Sequence, residues 1–153
     1  MLEQMTIKTL IKKFTDKAKE KGITLYYDNE YKVDADIFNW LPDAVVVEGP
    51  IPPTSITPLP KEGMTEGVML QTALRIPLSQ AIQKMTEELA NGYFDERNKV
   101  LIIYLTDTKD GVPLGLIGGC HGGGELNLGV NRVFTDCQWV LDGFQFGFLS
   151  SNI

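Results

Sequence analysis

The sequence predicts an α+β fold: a mostly antiparallel sheet, with an N-terminal amphipathic helix and a second helix packed on it. Residues 100–105 are an apolar, β-branched run between polar residues, which is typical of a strand buried on both faces. Residues 6–21 and 77–91 carry apolar side chains at helical spacing. Strand-like alternation between turn signals dominates the last third of the chain, as in a β-meander. At 153 residues, we expect a single domain over residues 1–153.

The two helices are predicted from their apolar stripes. Gly22 follows the first stripe, where a helix C-cap is expected, and we expect this helix to pack on the sheet. Pro77 suits the first turn of the second helix, and Asn91-Gly92 closes it. The first stripe consists of Ile7, Leu10, Ile11, Phe14 and Ala18, and the second of Leu78, Ile82, Met85 and Leu89.

Strands are predicted between and after the helices. Residues 23–27 form one strand, which a turn at residues 28–30 leads back through residue 33, and residues 44–47 form another. Alternation predicts a strand over residues 68–76. After the central run, Asp110-Gly111 is a hairpin signal, and strands follow at residues 112–118, 126–134 and from Trp139 onward.

Residues 49–63 have no periodicity and contain five prolines, so we expect an extended surface loop or arm. Such a segment is either a long connection or an arm that reaches a neighbouring subunit. The last strand sets Phe144, Phe146 and Phe148 on one face, and an aromatic ladder of this kind covers a core or a subunit interface. The predicted interface residues are Pro52, Pro53, Ile56, Phe144, Phe146 and Phe148.

Composition restricts the partners and the compartment. The net charge of −6 argues against nucleic acid as the main partner. Residues 1–22 carry six lysines and three acidic residues, which leaves eight basic and seventeen acidic residues elsewhere. This split favours a solvated basic helix face, or contact between the basic helix of one copy and the acidic body of another. No apolar run approaches the roughly 20 residues of a membrane span and no signal peptide is evident, so we expect an intracellular, cytoplasmic protein without a membrane partner.

The stretch from Gly118 to Glu125, with the sequence GGCHGGGE, is the most unusual in the chain. The lipase-like His-Gly-Gly-Gly pattern lacks the serine elbow that its chemistry needs, and a phosphate-binding loop would need a helix downstream. A Cys120–His121 nucleophile pair, as in a hydrolase, requires a sharp bend, because adjacent residues of an extended chain point to opposite sides. The simpler interpretation is a flexible glycine-rich hairpin loop.

No metal or cofactor is predicted. The two cysteines, Cys120 and Cys137, are expected to be reduced thiols, and with one histidine they make no metal-binding spacing. Asp34, Asp36 and Asp43 lack the glycine and the closing glutamate of a calcium loop, so turn and cap roles are favoured.

A ligand site is the second functional interpretation of the glycine-rich stretch. Backbone amides of the loop at residues 118–124 and polar positions of the next strand could line a small-molecule or nucleotide pocket. Ordinary solvent-facing strand positions are the alternative. The ligand-binding candidates are Gly119, His121, Gly122, Asn127, Asn131 and Arg132.

The order of elements in residues 5–80 resembles phage tail-terminator and tail-completion proteins of the head–tail junction. The resemblance is carried by the N-terminal helix, residues 22–28 (GITLYYD), residues 41–47 (LPDAVVV) and the alternating segment that follows. It implies a small α+β protein that forms rings, with a structural role in the virion. It assigns no functional residue.

These observations give three hypotheses. The first is a non-enzymatic structural or assembly protein, a homo-oligomer or a partner of other structural proteins, located in the cytoplasm or, if of phage origin, in a virion tail or neck. The second is the ligand-binding module, and the third is a Cys120/His121-dependent hydrolase or transferase.

Overall fold

A computed structural model describes residues 4–23, 45–47, 54–58, 65–95, 99–120, 126–133 and 145–151. Its helices are α1 (Ile7–Glu20), α2 (Glu66–Thr72) and α3 (Leu78–Ala90). Its strands are β1 (Gln4–Thr6), β2 (Val45–Val47), β3 (Thr54–Pro58), β4 (Lys99–Lys109), β5 (Val112–Cys120), β6 (Leu126–Arg132) and β7 (Gln145–Ser151). The fold is α+β, as predicted.

The main sheet has five strands in the order β3-β7-β4-β5-β6, and β1 pairs with β2 separately. Strands β4, β5 and β6 form the predicted antiparallel meander. The last strand does not continue it, because β7 crosses back, pairs parallel to β4 and lies antiparallel to β3. The alternation of Phe146 and Phe148 identifies a strand and its faces, but it carries no information about the neighbouring strand.

The central strand is interior, as the sequence predicts. Residues 100–105 are all buried, with odd positions in the cluster that includes α1 and α3 and even positions in the cluster that includes α2. The hairpin turn that follows is also confirmed. Asp110 and Gly111 both have positive φ, at 52° and 78°, as a type I′ turn requires.

The two longer helices form one side of the molecule. Helix α3 buries its predicted stripe against β4 and β5, and Asn91 is its C-cap. Pro77 is the N-cap of this helix rather than a residue of its first turn. Helix α1 packs mainly against α3, and its buried side chains lie in the core cluster that also contains side chains of β4, β5 and β6. Its buried residues are Leu10, Ile11, Phe14 and Ala18.

The prediction of a strand over residues 68–76 is wrong, because Glu66–Thr72 is a helix. The side chain of Thr65 accepts a hydrogen bond from the N–H of Val68, which caps the helix. Met69 is 1% exposed and lies in the buried cluster that contains Phe148, and Ala73, four residues later, packs against that cluster. Val68, next to Met69, is 45% exposed. This spacing belongs to a helix that covers the face of the sheet opposite α3.

The segment after α2 joins the sheet at an irregularity of β4. The register between β4 and β5 shifts between Tyr104 and Thr108, and Ile76 bridges to Leu105 there. The Nε of Arg75 donates to the carbonyl oxygen of Leu105 at 2.9 Å. This side chain therefore binds a carbonyl next to the bulge, where regular ladder pairing is interrupted.

Part of the proline-rich segment is a strand. Residues 49–63 were expected to form an extended loop or arm, but Thr54–Pro58 pairs antiparallel with β7 at one edge of the sheet. An edge position tolerates proline, because the missing N–H can face away from the sheet. The sequence therefore correctly excludes a central strand here but misses the edge strand.

Several sequence predictions lie outside the described residues. Ile23 follows α1 as irregular chain, partly buried against the core, and residues 24–44 are not described, so the strand over 23–27 and the roles of Asp34, Asp36 and Asp43 stay predictions. The strand at Val45–Val47 is confirmed.

The C-terminal ends of α1 and α3 are joined by Lys21. Its Nζ donates to the carbonyl oxygen of Leu89 at 2.8 Å and to Oδ1 of Asp95 at 2.9 Å. The side chain of Lys21 is 22% exposed and that of Asp95 is 57% exposed. The bond to the last turn of α3 therefore contributes more than the solvated ion pair.

Replacing Lys21 with methionine is expected to lower the free energy of unfolding by about 1–2 kcal/mol, because a carbonyl at the end of α3 loses a charged donor. Lys12→Met is the matched control, since the exposed Lys12 pairs with the exposed Asp16 and its replacement should change stability by less than about 0.5 kcal/mol. Urea denaturation followed by circular dichroism measures both. Equal effects of the two substitutions would contradict the helix-end role of Lys21.

Candidate interaction surface

The glycine-rich stretch begins inside a strand. Strand β5 continues through Cys120, whose Cα partner is Leu126, so residues 118–120 are not part of a loop as predicted. The structure does not describe the side chain of Cys120. It also does not describe residues 121–125, which include His121 and Gly122. The Cys120/His121 pair and the ligand role of the loop therefore stay predictions.

Packing explains the first two glycines of this stretch. A β-carbon at position 118 would lie 2.6 Å from the sulfur of Met85 in α3. A β-carbon at position 119 would lie 2.9 Å from Cγ2 of Val100 and 3.2 Å from the carbonyl oxygen of Lys99. Neither glycine leaves room for a side chain, so both are required by the contact of β5 with its neighbours.

The remaining ligand-binding candidates are divided between two faces of β6. Position 132 belongs to the same face of β6 as Leu126, Leu128 and Val130, which pack toward the helices. Arg132 itself is exposed at the strand end. Positions 127 and 131 belong to the opposite face, and the structure does not describe their side chains. The ligand-binding role of the two asparagines therefore stays a prediction.

The predicted interface residues are also dispersed. Phe148 is 4% exposed and lies in the cluster of α2, with Phe146 partly buried against it. Ile56 packs against the other cluster. The aromatic ladder thus covers a core, one of its two predicted roles, whereas Pro52, Pro53 and Phe144 lie outside the described residues.

The two edges of the main sheet differ in their protection. Strand β3 has five residues and ends in Pro58, and Ser150 on β7 bonds both Ser55, at 3.1 Å between the hydroxyl oxygens, and Thr57, at 2.7 Å. Strand β6 has seven residues, no proline and no lysine, and its single charged residue is Arg132 at its end. Proteins commonly block edges with prolines or charges, because an open edge pairs with other strands. Strand β6 has neither device along its centre.

The hydrogen-bonding groups that β6 presents at this edge follow from its register. The N–H of Val133 donates to the carbonyl oxygen of Pro113 at 2.8 Å, in line with the pairing of β5 and β6. Bonded and non-bonded positions alternate in an antiparallel pair, so the odd-numbered residues of β6 bond β5. The N–H and C=O groups of Leu126, Leu128, Val130 and Arg132 therefore point away from β5.

No other described strand pairs with this side of β6. The side chains of Leu126, Leu128 and Val130 are buried, so the edge consists of main-chain groups above a filled core. Main-chain groups in such an arrangement are suited to hydrogen bonding with an added strand. Sequence reasoning missed this site because the sheet order that makes β6 an edge is not written in β6 itself.

A partly buried tyrosine holds the start of β4 in place near the other edge. The hydroxyl of Tyr93 donates to the carbonyl oxygen of Val100 at 3.0 Å, and a β-carbon at position 147 would lie 2.8 Å from that hydroxyl. Burial, followed by the negative charge of Glu88, raises the pKa of Tyr93 from 10.0 to about 12.

This pKa shift predicts a loss of stability in alkali. Tyr93 of the unfolded chain loses its proton near pH 10, whereas Tyr93 of the folded protein keeps it until about pH 12, so the free energy of unfolding falls between these values. Tyr93→Phe lacks this titration, so the stability advantage of the wild type over the variant should be constant below pH 10 and narrow above it. Urea titrations from pH 8 to 12 measure the difference, and a constant difference throughout would contradict the shift.

Within the ranges that the structure describes, no group of three or more His, Cys, Asp or Glu residues could hold a metal ion. None of the described helices has the length and apolarity to cross a bilayer.

Comparisons of the chain with protein-family models, with curated proteins and with solved structures found no match.

Proposed function

We propose that this chain is a non-enzymatic structural protein that works as a subunit of a homo-oligomer or larger particle. The observation that carries the proposal is the β6 edge, a seven-residue row of main-chain groups without proline or lysine.

The contrast between the two edges supports this proposal. An open strand edge promotes uncontrolled association, and at β3 the chain has a terminal proline and a short strand. Strand β6 is longer, has no such device, and pairs with no other described strand on this side, which suits a subunit whose edge another strand covers. The interaction that fits such an edge is strand addition, in which main-chain hydrogen bonds supply the affinity.

A component of a phage tail or neck is the more specific form of the proposal. It is supported by the resemblance of residues 5–80, of which helix α1 and strand β2 are present, while the alternating segment of that resemblance is helix α2 and not a strand. Mass spectrometry of purified particles from a phage that encodes this chain tests it. Peptides of the chain in intact particles would support the virion role, and their absence at high coverage would overturn it.

Self-association is tested with the unmodified full chain. Size-exclusion chromatography with light scattering, over a dilution series from tens of micromolar, is expected to show a mass above 17.0 kDa that falls on dilution. A strict monomer at every concentration would overturn the homo-oligomer proposal.

A further inference from the structure

Strand β6 has almost the same sequence in both directions about its central residue. Leu128 and Val130 flank Gly129, and the next position on each side is asparagine, Asn127 and Asn131. We propose that two copies of this chain pair their β6 strands antiparallel across a two-fold axis at Gly129, which joins two five-stranded sheets into one. This inference rests on the proposed oligomeric function and names the contact that produces it.

The direction of the edge groups fits this register. The N–H and C=O groups of the even-numbered residues of β6 point away from β5. In this register Leu128 would therefore exchange hydrogen bonds with Val130 of the partner subunit, and Val130 with the partner's Leu128. Gly129 would face the partner's Gly129 as a non-hydrogen-bonded pair, at which Cα atoms lie about 4.5 Å apart. One surface then complements itself, as a two-fold dimer requires.

The glycine at the centre has no explanation within the described chain. A β-carbon at position 129 meets nothing within 4 Å, unlike the β-carbons at positions 118 and 119, which collide with neighbours. Its φ is not positive either. Glycine inside a strand lowers stability, and it commonly marks a close approach of another backbone. In the proposed dimer this position lies at the two-fold axis, opposite the partner's Gly129.

Charge also favours the antiparallel register. Arg132 ends the strand, and in the antiparallel register it lies opposite the partner's Leu126, so the two Arg132 residues lie at opposite ends of the seam. A parallel pairing in register would place the two Arg132 residues side by side. The seam between the ends is uncharged, which suits association of two chains of net charge −6.

A cysteine at the axis tests the register directly. Gly129→Cys has room for its side chain, and two such residues about 4.5 Å apart are within the Cα separation of a disulfide. Mild oxidation of the full Gly129→Cys chain is expected to give a covalent dimer whose peptide map contains a disulfide between the two copies of position 129. The wild type controls for links through Cys120 and Cys137, and Ser55→Cys is the matched variant on the opposite edge.

The outcomes separate this inference from the proposed function. A disulfide between the two copies of position 129, without a comparable disulfide at position 55 in the Ser55→Cys variant, supports β6 pairing. An oligomer in light scattering that gives no link at position 129, or that links through position 55, overturns the inference and leaves the oligomeric function standing. A monomer without links overturns both this inference and the homo-oligomer proposal.

Opposite charges at the axis provide a second test that needs no oxidation. Gly129→Lys and Gly129→Glu each place like charges opposite one another, which is expected to weaken the dimer about fivefold. Mixing the two variants is expected to restore association, because each heterodimer pairs opposite charges. Circular dichroism confirms that both variants fold, and two folded variants that associate as the wild type does, alone and mixed, would overturn the register.

Discussion

Replacing Phe14 with alanine is expected to lower the free energy of unfolding by about 3–5 kcal/mol. Phe14 is 1% exposed and is the largest side chain by which α1 enters the core cluster it shares with α3 and β4. Truncation removes a buried ring and leaves a cavity that rigid neighbours fill only in part. Guanidinium denaturation followed by circular dichroism measures the change.

The control for this substitution is the adjacent residue. Lys13 is exposed on the same turn of α1, and alanine there should change stability by less than about 0.5 kcal/mol. A loss below about 1 kcal/mol for Phe14→Ala would mean that α1 contributes little to the cooperative fold, contrary to the packing of its stripe on α3.

Local patterns were sufficient where one segment determines its own structure. The run at residues 100–105 is apolar on both faces, so it identifies a central strand without reference to any partner. The stripe of α3 and the turn at Asp110-Gly111 are likewise complete signals, since helix periodicity and positive φ preferences act over a few residues.

Features that depend on distant contacts could not be predicted. Helix α2 has only seven residues, and over two turns its pattern of Val68, Leu70 and Thr72 is indistinguishable from strand alternation until Met69 packs in the cluster of Phe148. The place of β7 beside β4 is equally hidden, because alternation defines faces and not neighbours.

The same limit applies to the candidate interaction surface. Leu126, Leu128 and Val130 predict a strand with one buried face, but only the sheet order makes β6 an edge. The sequence also misleads in the glycine-rich stretch, where Gly118 is predicted to lie in a flexible or ligand-binding loop. A side chain at this position is instead excluded by the sulfur of Met85, on a helix distant in the sequence.

Replacing Gly118 with valine is therefore expected to lower the free energy of unfolding by about 3 kcal/mol, at the upper end of overpacking costs. Any β-carbon there collides with the sulfur of Met85 at 2.6 Å, and Met85 is fully buried, so the side chain has little free volume into which it can move. Gly118→Ala should show a smaller loss in the same direction.

A double-mutant cycle separates this packing role from a binding role. Met85→Ala alone should lower the free energy of unfolding by about 2–5 kcal/mol. It also opens space for a side chain at position 118. The double variant with Gly118→Ala should therefore be more stable than the sum of the two losses implies, by about 1 kcal/mol or more. Additive losses would contradict contact between the two positions. If Gly118 served only to let a ligand approach its backbone, its substitution would leave unfolding unchanged and the cycle would show no coupling; the 2.6 Å approach to Met85 predicts the opposite result.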